Sequence, residues 1–153
     1  MEPSSNITFD DSLWPLLVIR FTGMPTNQQF DDFLAKRGAS LARRQKHVVI
    51  YDTGSFRVLS PEQRQRLINW FRERKAIQKQ LSIGSALVIT SPVTRLLLSS
   101  ILQFTQTETP YHVARSVSEA AQWAAARLDE AGLFADAQRV RVHHGAVLRR
   151  STG

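Results

Sequence analysis

The chain has 153 residues, 20 lysines and arginines against 13 acids, a formal charge of +7 and no cysteine. That length suffices for one hydrophobic core without staples, and the missing cysteines exclude disulfides, thiolate metal sites and cysteine nucleophiles. The longest apolar runs, Leu13 to Ile19 and Leu96 to Leu98, fall far short of the roughly 20 residues that span a bilayer.

Met1 to Asp10 carries no basic start followed by an apolar stretch, so a secretory leader is not expected. A cytoplasmic setting is the expectation. From Asn6 the elements follow in order. Asn6 to Asp10 reads as a short, half-polar strand, and Leu16 to Phe21 as a strongly apolar one opened by Pro15. Gly23-Met24-Pro25 is a loop. Thr26-Asn27-Gln28-Gln29 is a capping box that starts a helix with Phe30, Phe33, Leu34 and Leu41 on one face. His47 to Tyr51 is a β-branched strand, followed by a loop at Asp52-Thr53-Gly54-Ser55.

Ser60-Pro61-Glu62-Gln63 repeats the box with proline at the first helical position. Leu67, Ile68, Phe71 and Ile77 then fall at helical spacing. Ser85 to Thr90 is the next strand, and Ser91-Pro92 opens a third helix that is apolar nearly all round, through Val93, Leu96, Leu97, Ile101 and Leu102. Tyr111 to Arg115 is a weaker strand. Ser116-Val117-Ser118-Glu119 begins a fourth helix whose face is made of Ala120, Ala121, Trp123, Ala124 and Leu128. Beyond Gly132 the signal fades, and a short helix over Leu133 to Val140 followed by a mobile tail is expected.

Continuous apolar strands alternating with helices imply strands covered on both faces. The fold class is therefore α/β: a mixed, mostly parallel sheet of about five strands flanked by four helices, in the order β-β-α-β-α-β-α-β-α. One domain is expected over residues 1–132, with a basic extension over 133–153.

This organisation, over about residues 6–130, resembles the STAS domain, the fold of bacterial anti-sigma-factor antagonists and of SpoIIAA-like or Sec14-like small proteins. The best local match is Val48-Val49-Ile50-Tyr51-Asp52, a strand ending in an acid, with a loop leading to Ser60 at the next helix start. In STAS antagonists such a strand leads to an Asp-Ser pair whose serine is the regulatory phosphorylation site. The resemblance thus marks Ser60, although Leu59 and Pro61 flank it here. A phosphate there would face the open amides of a helix N-terminus. The alternative reading makes Ser60 a cap alone.

Little in the sequence points to chemistry. His47, His112, His143 and His144 show no metal-ligand spacing, the seven glycines form no phosphate loop, and Asp52-Thr53-Gly54 has no second carboxylate motif to pair with. No enzyme activity, cofactor or metal is expected. Trp70, one turn from Arg66 on one side and Arg74 on the other, has the composition of a binding hot spot or of a ring shielded by stacked guanidiniums. Leu98 and Phe104 belong to more apolar groups than one buried stripe needs, which suggests an interface. The leading expectation is a bacterial regulatory or scaffolding module that binds a protein partner, with a homodimer among the forms it takes. A second is a carrier of an apolar ligand in a cavity lined by Leu97, Ile101 and Phe104. A third is weak binding of anionic surfaces or nucleic acid through Arg43, Arg44, Arg64, Arg66 and the tail arginines, without a recognised motif.

Overall fold

A computed structural model describes residues 6–105 and 108–152, with the helical path alone given beyond Gly145. Five strands form one sheet in sequence order: β1 (Asn6–Leu13), β2 (Leu16–Gly23), β3 (His47–Phe56), β4 (Ser82–Val88) and β5 (Tyr111–Ala114). β1 and β2 are an antiparallel hairpin, and β2 through β5 run parallel. Six helices flank the sheet: α1 (Asn27–Ala42), α2 (Pro61–Glu73), α3 (Lys75–Leu81), α4 (Pro92–Thr105), α5 (Val117–Glu130) and α6 (Phe134–Thr152).

Successive strands that pair in order, joined by crossovers of one hand, place their connecting helices on one face. The two cores show this layering. Leu17, Ile19, Phe21, Val49, Tyr51 and Leu87 point to the side of α1, α2 and α4, where Phe30, Phe33, Leu67 and Ile101 meet them. Leu16, Val48, Ile50, Ala86 and Val88 point to the other side and are covered by α5 and α6. The register is consistent with this, since Ile19, Tyr51, Leu87 and Val113 lie side by side across four strands.

The helix starts follow the local sequence closely. Thr26 and Ser60 each cap their helix in a complete capping box with Gln29 and Gln63, and Ser116 accepts from the Glu119 amide. On the α5 side, Ala120, Ala121, Ala124 and Ala125 are buried against the sheet. The close approach also depends on Gly84, where a Cβ would sit 2.7 Å from the Trp123 ring.

Several expectations are corrected. β3 continues through Asp52 and Gly54 to Phe56, so that segment is strand and not loop. The helix expected from Ser60 through Ile77 breaks at Arg74 (φ −110°, ψ 17°), which creates the short α3. The turn carries Leu81 back over Trp70 and Leu41, and burial of those three groups favours the break over a straight helix. β4 accordingly begins at Ser82 rather than Ser85.

The extension is also different from the short helix and mobile tail expected of it. Gly132 (φ 81°) ends α5, and α6 then runs as one helix from Phe134 to Thr152. Ala137 and Val140 are fully buried with Leu128, and Arg141 pairs with Asp129 at 2.5 Å, so the segment is held by packing its residue pattern had only hinted at. Among the described residues the helix count is therefore six and not four. Among the described residues, no helix is long and apolar enough to cross a membrane.

Candidate functional site

The residues singled out from the sequence do not form one site. Trp70 is 7% exposed, packed on Leu41 and Leu81 edge-to-face with Phe71 and covered by the Arg74 guanidinium 4.4 Å from its ring. An exposed aromatic anchor is thereby ruled out at this position, and the shielded ring is what the structure shows. Arg66 is occupied as well, paired with Asp31 at 2.5 Å and stacked over Phe30. Ser60 is half-buried, and its hydroxyl accepts from the Gln63 amide at 3.0 Å. Asp52, the acid of the strand that leads toward it, is paired with Arg20 at 2.9 Å.

Leu98 and Phe104 part company on α4. Leu98 turns inward with Thr94, Ile101 and Thr105, about one helical repeat apart, while Val93, Leu96 and Phe104 lie on the outer surface. Leu96 is 74% and Val93 65% exposed. Neighbouring α2 supplies cations to this surface: the Arg64 guanidinium contacts Ser100 and lies 5.5 Å from the Phe104 ring, and Arg72 donates to the Phe104 carbonyl at 2.8 Å. Among the described residues, Arg64, Arg72 and Arg95 make no ion pair. Of the arginines expected to form an anionic-surface site, Arg43 pairs with Asp11, Arg66 with Asp31, Arg139 with Asp136 and Arg141 with Asp129, while Arg44, like Arg64, makes no ion pair among the described residues. Arg149 and Arg150 lie beyond the residues whose side chains are described.

Beneath α4 lies an apolar cavity of about 90 Å³. Phe21, Phe33, Tyr51 and Leu87 form its sheet and α1 walls, and Leu98, Ile101 and Leu102 its α4 wall. Of the expected lining set only Ile101 is found there; Leu97 and Phe104 are not part of it. Empty apolar volume of this size costs about 2 kcal/mol on the scaling seen for core truncations. A wider groove of about 530 Å³ adjoins it between α4 and β5 and shares Leu87, Leu98, Leu102 and Tyr111 as walls. Arg95, Ser99 and Gln103 line its outer part.

A buried polar cluster escaped the sequence reading. Arg37 has no exposed surface, yet it faces no carboxylate: its Nε donates to the Tyr51 hydroxyl (3.3 Å), and its Nη1 meets Ser40 Oγ (2.6 Å) and His47 Nε2 (3.1 Å). Arg37 Nη2 and the Ser82 hydroxyl are buried without a hydrogen-bond partner among the described residues. His47 Nδ1 lies 2.9 Å from the Gln45 carbonyl, so a neutral ring that donates there and accepts from Arg37 satisfies both contacts. Burial first, and then the Arg37 charge, push its pKa down to about 4. Trp14 stacks on this imidazole at 5.1 Å and is itself covered by Arg43 at 3.7 Å. The available signal was position: Phe30, Phe33, Arg37 and Leu41 share one helical face, so Arg37 stands on the core stripe.

The sheet order, with β1 antiparallel at one edge, and the helices on both faces define a SpoIIAA-like, or STAS, fold. Two solved structures share it. An uncharacterized DUF3478-family protein with a SpoIIAA-like fold from Shewanella loihica superposes with a TM-score of 0.62 at 12% identity, covering 81% of this chain and 98% of that one. The anti-sigma factor antagonist SpoIIAA in its unphosphorylated form gives a TM-score of 0.54 at 17% identity, covering 74% of this chain and 93% of that one. No protein-family model and no curated protein matches the sequence.

Proposed function

We propose that this domain is a non-enzymatic bacterial regulatory or scaffolding module that docks a protein partner on its α2–α4 surface. The observation that carries this reading is the exposed stripe of Val93, Leu96 and Phe104 beside Arg64 and Arg72, which make no ion pair among the described residues. An apolar centre with a cationic rim is the composition of a docking patch. The fold shared with an anti-sigma factor antagonist supports the same reading. In a two-fold homodimer through this patch, Arg64 and Arg72 would face their own copies, and like charges brought together oppose association. A separate partner that carries carboxylates around an apolar ridge fits better. Ser60 acts in this reading as a helix cap.

The test is a photo-crosslinking side chain placed at Leu96 in cells of the source organism, with a second at Glu130 on the opposite side as control. A partner adduct at Leu96 alone, lost when Arg72 is changed to Glu, is the expected result. If light scattering shows a dimer that Leu96→Ser and Phe104→Ser convert to a folded monomer, the occupant is a second copy. A monomer with no adduct at Leu96 removes the docking surface.

A further inference from the structure

We infer that the cavity beneath α4 and the groove beside β5 are one binding site for an unbranched, single-chain amphiphilic carboxylate, with its chain in the cavity and its head at Arg95. The two hollows share Leu87, Leu98 and Leu102 as walls and change in character along their length. The inner one is lined mainly by aliphatic and aromatic groups, with Thr53, Gln78, Ser85, Thr105 and Thr109 among them, a surface that favours an alkyl chain over a charged group. The outer one adds Arg95, Ser99 and Gln103, which offer donors to a head group.

Size decides the shape of the occupant. A dry cavity of about 150 Å³ accommodates benzene, and this one is about 90 Å³. The smaller volume favours the end of a slim alkyl chain over a ring. The groove of about 530 Å³ then takes the rest of the chain and the head, within the range of ordinary ligand sites. Charge decides the head. Among the described residues, Arg95 is the one cation that lines the groove and makes no ion pair, so it matches one negative charge flanked by neutral polar groups. A phosphodiester carrying two chains presents the same combination of alkyl and anion, but two chains do not pass through a single narrow cavity.

The experiment is isothermal titration calorimetry of the full chain with decanoate below its micelle concentration, with decanol and phosphatidylglycerol vesicles in parallel. Decanoate is expected to bind one to one with a negative heat-capacity change. Decanol is expected to bind about fivefold more weakly, as the loss of one exposed charge contact implies. Arg95→Ala, a surface change that leaves the fold intact, should bring decanoate to the level of decanol. Leu98→Trp, checked for folding by circular dichroism, fills the cavity and should weaken binding more than about tenfold. The assignment is overturned by the absence of decanoate binding at about 1 mM. It is also overturned by equal affinity for decanol, by undiminished binding in both variants, or by binding to vesicles alone, which would make this face a membrane-contact surface.

Discussion

On the α5 side of the sheet, four alanines, Gly84 and the flat ring of Trp123 bring helix and strands into close contact, and Trp123 stacks on His112 at its margin. On the opposite side, α1, α2 and α4 stand off on large groups, Phe21, Phe30, Phe33 and Phe56, and the space they leave is incompletely filled. Small side chains give close layers with little room for change; large ones leave irregular gaps. The contrast assigns different work to the two sides: α5 and α6 secure the sheet, and the room for a ligand or a repositioned helix lies under α4.

That contrast can be broken or sharpened by measurement. The largest effect is expected at the foot of the loosely packed side. His47 has its pKa lowered to about 4 by burial and by Arg37, against 6.5 in the unfolded chain. A depressed folded-state value means that the unfolded chain takes up the proton first as pH falls. The stabilisation is complete above about pH 6.5 and is lost down to about pH 4, for a total of about 3 kcal/mol. Urea unfolding at pH 7 and pH 4 measures the loss, and His47→Gln should remove the His47 share of it. An unchanged pH slope in that variant would mean that the imidazole is not held neutral.

Volume added to each side gives the next effect. Ala124→Leu on the close-packed side is expected to cost about 2 kcal/mol, because neither helix nor sheet can retreat. Ser85→Val, directed into the cavity, is expected to stabilise by about 1 kcal/mol as it fills part of the void and buries no unpaired hydroxyl. Thermal unfolding reads both. Equal costs for the two substitutions would dissolve the distinction between the sides.

What the sequence disclosed was what depends on neighbours along the chain. Thr26, Ser60 and Ser116 mark their helices because a cap is a contact across three residues, and the strand periodicity around Val48-Val49-Ile50 needs nothing distant to be read. Sheet class and element order follow from those signals. Trp70 was opaque because its burial depends on a break at Arg74 and on Leu81 arriving from beyond it. Leu98 and Phe104 could not be separated without the axis of α4 relative to the sheet, which sets which side of an all-round apolar helix meets the core. Arg37 was masked by composition: it stands in a segment rich in basic residues, whereas its position one turn from Phe33 and Leu41 belongs to the core. The cavity, lined from eight elements, has no trace in any one segment.

The sheet grows in the order in which the ribosome delivers it, each strand beside its predecessor from β1 to β5. Each parallel pairing waits on the closure of a whole helical crossover, which slows assembly and prolongs exposure of the sheet. One side of that growing sheet is clothed as it forms, since α1, α2 and α4 arrive between the strands. The other side is not. Leu16, Val48, Ile50 and Val88 remain bare until α5 emerges after the last strand and α6 closes over it. A nascent chain stalled before Ser116 therefore displays a flat aliphatic sheet, the kind of surface that invites aggregation or a chaperone. Docking of the C-terminal pair of helices is then the step that covers this face of the sheet.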